Sequence, residues 1–183
     1  MKMDRKTRDI IESVVNAVKT QLGINIRPNF EGWEDVIHNL GGELKKDPNL
    51  LCDARISKVS NNGENGVFFK VEVSPFQSEA RMNFSIAHEL GHLFLHMLYK
   101  INYDEWSKIQ VGESYNRSGN NELESQANEF AAELLMPKGE FLQVLSKNRE
   151  TINSYNIEPV ARYFGVSEQA VLNRGRWLGV FAW

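Results

Sequence analysis

The chain has 183 residues, 42% of them hydrophobic and 25% charged, with a formal net charge of -3 and a pI near 5.9. This length suits one domain, or a core with a small appendage, and is enough to bury a hydrophobic core. The slight acidity argues against a general polyanion binder, since neutralising phosphates takes a concentrated excess of Lys and Arg.

Cys52 is the single cysteine, so no intrachain disulfide can form. The N-terminus lacks an apolar signal core and no stretch approaches membrane-spanning length, which makes a reducing cytoplasm the expected setting. The basic residues Lys2, Arg5, Lys6 and Arg8 are interleaved with Asp4 and Asp9 and read as a solvated helix start.

Ile10, Val14, Val18 and Leu22 recur every fourth residue, with Ile11 and Val15 beside them and Gly23 behind, which predicts an amphipathic helix with a glycine stop. A shorter helix is expected from Trp33 to Leu40, ended by Gly41-Gly42. Between Ala54 and Val73 the period changes to two: Val67, Phe69, Val71 and Val73 alternate with Phe68, Lys70 and Glu72 after a turn-rich stretch. A hairpin or small sheet follows from that pattern, with Val67 to Val73 as the candidate edge strand for a substrate peptide.

Ser78 is placed to cap a helix running through Phe84, Ile86, Leu90, Leu93 and Met97, apolar on most sides and therefore buried. Tyr99 to Asn121 shows no sustained period and reads as a long surface connection. A strong helix covers roughly Glu122 to Met136 and stops at Pro137. Residues 138–183 form a helical tail packed on the 1–137 core, with Gly165-Val166-Ser167 separating its last two helices in the manner of a helix-turn-helix.

His88-Glu89-Leu90-Gly91-His92 sets two imidazoles four residues apart on the buried helix, so both project from one face and one metal ion can bridge them. Catalytic zinc sites use three protein ligands and leave the fourth position to water. On an ideal helix Glu89 lies about 100° from His88 and about 60° from His92, flanking the ion without having to ligate it. That is the position of a general base, with zinc acidifying the water and polarising the scissile carbonyl. The competing reading is a pair of core histidines held by hydrogen bonds.

A third histidine at the spacing of the longer zincin motif is excluded, because Leu95 and Leu98 stand there. A glutamate on the next long helix is the alternative. Glu124 is well placed, with Asn128 one turn on to support a ligand and small Ala127, Ala131 and Ala132 to permit close approach. Glu122, Glu129 and Glu133 compete with it. His96 lies at the margin of the cleft, where it either assists an oxyanion or substrate or simply packs near the helix end. His38 has no evident role, and Tyr103 and Tyr115 are not assigned one.

The block His88-Glu89-Leu90-Gly91-His92-Leu93-Phe94-Leu95-His96, preceded by Arg81 and Phe84, and the block Glu124-Ser125-Gln126-Ala127-Asn128-Glu129-Phe130-Ala131-Ala132-Glu133-Leu134-Leu135-Met136-Pro137 resemble the ImmA/IrrE metallo-endopeptidases. The resemblance covers residues 54–137 well and the first fifty poorly. It implies an α+β zincin: N-terminal helices, a small twisted sheet, a metal-binding helix, a glutamate helix and a helical tail. It also implies Zn2+ on His88, His92 and Glu124, Glu89 as the catalytic base, and a cytoplasmic endopeptidase acting on a helix-turn-helix DNA-binding repressor or antitoxin-like regulator. The rival function is a regulator that binds a repressor without cutting it, with zinc structural. Direct nucleic-acid binding is disfavoured: Arg162, Arg174 and Arg176 are the tail's only arginines positioned to meet phosphate, on an acidic protein.

Overall fold

The computed structural model describes residues 3–23, 29–63, 66–115, 121–151 and 154–182, except the side chains of Leu22 and Tyr115. The first helix, α1 (Arg5–Leu22), starts at Asp4, whose carboxylate accepts the Thr7 amide proton at 3.0 Å, and stops at Gly23. Its buried stripe is Ile11, Val15 and Val18, whereas Ile10 is exposed. The packing face therefore runs through Ile11, Val15 and Val18 with Val14 at its margin, and of the fourfold series Ile10 falls outside it.

Helix α2 (Phe30–Leu40) buries Trp33, Ile37 and Leu40 and ends at Gly41. Gly41 sits at φ 86°, a left-handed conformation that favours glycine. Gly42 opens strand β1 (Gly42–Lys46), and a Cβ there would clash with carbons of the Phe69 ring. This strand was not expected from the sequence, since only five residues carry it and only two are buried.

Strands β2 (Ala54–Lys58) and β3 (Phe69–Val73) form the expected antiparallel pair, with Ile56 opposite Val71. Phe69, Val71 and Val73 face the core. The sheet order is β1-β3-β2-β4, with β1 parallel to β3 and a two-residue β4 (Ser114–Tyr115) beside β2. Strand β3 is thus central, and both its edges are hydrogen-bonded. The expectation that Val67 to Val73 is an open edge for a peptide is wrong: apolar alternation reports that one face packs on the core, which holds for an inner strand as well as an edge one.

Helix α3 (Glu79–Gly91) begins at Ser78, whose hydroxyl accepts the Arg81 amide proton at 3.3 Å. It does not continue to Met97 as an α-helix, because residues His92–His96 form a π turn closed by the Met97 amide on the His92 carbonyl at 2.9 Å. The Tyr99 to Asn121 stretch also holds more structure than expected: helix α4 (Tyr103–Lys108) as well as β4. It is tied down by buried Trp106, by the Tyr99 hydroxyl on the Leu40 carbonyl at 2.7 Å, and by buried Lys58, whose ammonium donates to the Ile109 carbonyl at 2.8 Å.

Helix α5 (Asn121–Leu135) packs along α3, and the tail follows as α6 (Lys138–Lys147), α7 (Ile157–Phe164) and α8 (Glu168–Trp177). Phe141, Val160, Phe164 and Val171 of the tail share one hydrophobic core with Ile86, Leu90 and Phe130. Asn83 of α3 reinforces this junction: its carbonyl accepts from the Trp33 indole at 3.0 Å, and its amide donates to the Gly165 carbonyl at 3.0 Å.

The tail's Arg174 is not available to phosphate. It is 2% exposed, pairs with Glu129 and Glu133 of α5, and donates to the Met136 carbonyl at 3.1 Å. No described helix is long and apolar enough to cross a membrane.

Candidate metal centre

Each residue of the His-Glu-x-x-His stretch that could do chemistry is buried: His88 and Glu89 are 3% exposed and His92 is 2%. An α-helix puts residues 88 and 92 on one face, and the opposing surface of α5 supplies the third group. The close approach depends on Gly91. A Cβ at that position would meet the Ala127 Cα at 3.0 Å and the Ala127 carbonyl oxygen at 3.1 Å. Glycine on one helix and alanine on the other let the backbones meet, which brings Glu124 over the histidines.

The resulting geometry is tight. His88 Nε2 lies 3.1 Å from His92 Nε2, and Glu124 places Oε2 3.3 Å from His88 Nε2 and Oε1 3.3 Å from His92 Nε2. Among the described residues His88, His92 and Glu124 are the group whose ligand atoms converge in a way that could hold a metal ion. A tetrahedral shell with bonds of about 2.0–2.1 Å separates neighbouring ligand atoms by about 3.3–3.4 Å. The two carboxylate spacings, one to each Glu124 oxygen, match that edge length, and the 3.1 Å between the imidazole nitrogens is slightly shorter.

The far sides of the imidazoles are also engaged. His88 Nδ1 lies 3.0 Å from Asn128 Oδ1, so a neutral His88 donates from Nδ1 and turns the Nε2 lone pair towards Glu124. His92 Nδ1 lies 2.9 Å from His96 Nδ1, and His96 Nε2 lies 3.2 Å from Gln126 Oε1. Burial holds the His96 imidazole below its ordinary titration range, with the Gln126 contact acting weakly the other way.

Of the three carboxylates that competed with Glu124 in the sequence, two are committed elsewhere. Glu129 and Glu133 face Arg174 on the opposite side of α5, and burial raises the Glu129 carboxyl above its usual range despite that guanidinium. Glu122 is exposed at the first turn, 3.5 Å from the Gln126 amide. His38 is exposed and Tyr103 is 68% exposed, while the Tyr115 side chain lies outside the described residues.

The Asn128 support was legible in the sequence from its one-turn spacing after Glu124. The His96 to Gln126 connection was not, because it joins side chains thirty residues apart on different helices. The closeness of α3 and α5 was signalled by the small residues on both.

The model for the IrrE N-terminal-like domain of the M78 peptidases matches residues 70–175, more than half of the chain, and spans α3, the π turn, α5 and most of the tail. No curated protein matches. Among solved structures, a Mycobacterium tuberculosis transcriptional regulator is similar in fold, with a TM-score of 0.60 at 17% identity over 92% of this chain. The chain spans 50% of the length of that protein. On the strength of the family match, carried by the region that holds the histidine pair and the α5 carboxylate, the chain belongs to the ImmA/IrrE metallopeptidase family.

Proposed function

We propose that the chain is a zinc-dependent endopeptidase that cuts a protein partner at a limited site, the partner being a helix-turn-helix repressor or an antitoxin-like regulator. The observation that carries this reading is the convergence of two imidazole nitrogens and one carboxylate at tetrahedral spacing, beside the buried Glu89. Two nitrogens and one carboxylate suit zinc better than the oxygen-rich shells of calcium or magnesium.

His88, His92 and Glu124 would hold the ion, and Asn128 keeps His88 in the tautomer that presents Nε2. When bound, zinc supplies Lewis acidity that acidifies the attacking water and polarises the scissile carbonyl. Glu89 takes a proton from that water as its oxygen adds to the carbonyl carbon. The same carboxyl then delivers the proton to the departing amide nitrogen as the C–N bond breaks, giving a carboxylate and an amine. Residues 1–137 form the catalytic core in this reading, and the 138–183 tail completes its packing.

Three protein ligands argue for catalysis over a purely structural ion, since structural zinc sites close the shell with four. The repressor as substrate rests on the family resemblance, and the similarity in fold to a transcriptional regulator agrees with a role near transcription.

The test is incubation of the zinc form with candidate repressors, read by intact mass. Cleavage by the unaltered protein should fall by about 10²–10⁴-fold in Glu89→Gln, which keeps the shape but cannot take the proton, while zinc and partner binding persist. A partner left intact by the unaltered protein, together with a repressor reporter relieved equally by Glu89→Gln, would establish the non-cleaving regulator instead.

A further inference from the structure

The mechanism above uses His88, His92, Glu124, Glu89 and Asn128, and leaves His96 and Gln126 without a task. We infer that His96, backed by Gln126, is the positioning residue for His92, so that a neutral imidazole does for the second histidine what Asn128 does for the first. This rests on the zinc reading. If His92 ligates through Nε2, its proton sits on Nδ1, and the 2.9 Å contact makes His92 the donor and His96 Nδ1 the acceptor. His96 must then carry its own proton on Nε2, which faces the Gln126 carbonyl oxygen at 3.2 Å. Every donor along this line meets an acceptor, and each bond polarises the next.

The two imidazoles stand four residues apart on one face, and the turn that carries them is not an α-helical one. An α-helix closes i to i+4, but here the Met97 amide reaches back five residues to His92, so residues 92–96 close as a π turn. The chain leaves the turn through two non-glycine residues in the left-handed region, Leu98 at φ 54° and Lys100 at φ 57°. Bulky residues rarely adopt that conformation, and such strain persists where the surrounding structure fixes it. The Tyr99 ring between them is 3% exposed and hydrogen-bonded to the Leu40 carbonyl, which anchors the strained exit.

The decisive experiment measures zinc affinity by chelator competition, with the Co2+ absorption spectrum as a second readout. His96→Phe keeps an aromatic ring and removes both nitrogens, and Gln126→Leu removes only the outer acceptor. His96→Phe should weaken zinc by about 10–100-fold, the range for loss of a group orienting a metal ligand. Gln126→Leu should weaken it less, and the double variant should be no worse than His96→Phe alone, since both cut one line. The cobalt bands should move in both single variants. The melting temperature of the zinc-free form reports any packing defect separately.

Unchanged zinc affinity in His96→Phe, or effects of the two substitutions that add in full, would overturn the inference while leaving the metal site intact. A failure of the zinc reading would look different, because the unaltered protein itself would then bind neither ion.

Discussion

Helix α5 carries glutamates on two faces, and the structure uses them in opposite ways. Glu129 and Glu133 are buried against Arg174 of α8, where one internal guanidinium pairs with both carboxyl groups. Glu124 turns instead to the Nε2 atoms of His88 and His92, at equal distances of 3.3 Å. A buried carboxylate with a fixed cation is a structural tie, here between the glutamate helix and the tail. A carboxylate converging with two imidazole nitrogens is a group that could hold a metal ion. The same residue type, within ten positions of one helix, serves architecture on one side and, in the proposed function, chemistry on the other.

The largest effect expected from this contrast is on stability and comes from the Arg174 side. Arg174→Ala leaves Glu129 and Glu133 buried without their guanidinium, and breaking such a cluster costs about 3–5 kcal/mol. Denaturant unfolding of the zinc-free protein measures it. A loss below about 1 kcal/mol would show that the cluster is solvated and that the tail is held by its apolar contacts alone.

Gly91→Ala probes the contact between the helices that makes the metal side possible. Alanine gains about 1 kcal/mol of helix propensity over glycine, but overpacking against the Ala127 backbone costs about 1–3 kcal/mol, so a net loss of about 1 kcal/mol is expected. Zinc affinity should fall with it, because Glu124 rides on the helix that is pushed away. A variant that gains stability and keeps its zinc affinity would show that α5 yields without moving Glu124.

These two residues also mark what the sequence could and could not reveal. Spacing alone put His88 and His92 on one face, and the stop glycines Gly23 and Gly41 fixed the ends of α1 and α2. The ideal-helix directions of Glu122, Glu129 and Glu133, at least about 140° from Glu124, set Glu124 alone on its face and favoured it, but did not say what the other three meet. That needed the partner on the far side, and Arg174, 41 residues from Glu133 and 45 from Glu129 in sequence, has no local signature of burial. Residue period misplaced β3 at an edge and missed β1, because strand neighbours are long-range facts. The π turn at His92–His96 was illegible for a related reason: its residues fit an α-helix equally well.

The smallest effect is the pH dependence of the Arg174 side. Burial raises the Glu129 carboxyl, so the folded state holds its proton more tightly than the unfolded chain does. The stability linked to that proton is fully present below the ordinary carboxylate pKa and is lost as pH rises through the raised value in the folded state. Comparing unfolding midpoints of the unaltered protein and Glu129→Gln across the acid-to-neutral range isolates it. The unaltered protein should lose stability relative to the variant as pH rises, and an opposite slope would mean that Arg174 outweighs burial.

The central claim, that the two faces of α5 differ in kind, is tested most directly by the zinc content of three proteins purified side by side near neutral pH. The unaltered chain and Glu129→Gln should each carry about one zinc, and Glu124→Ala should lose most of it, because in the proposed reading Glu124 is the third ligand beside His88 and His92. Equal zinc loss in the two variants, or full occupancy in Glu124→Ala, would contradict the account.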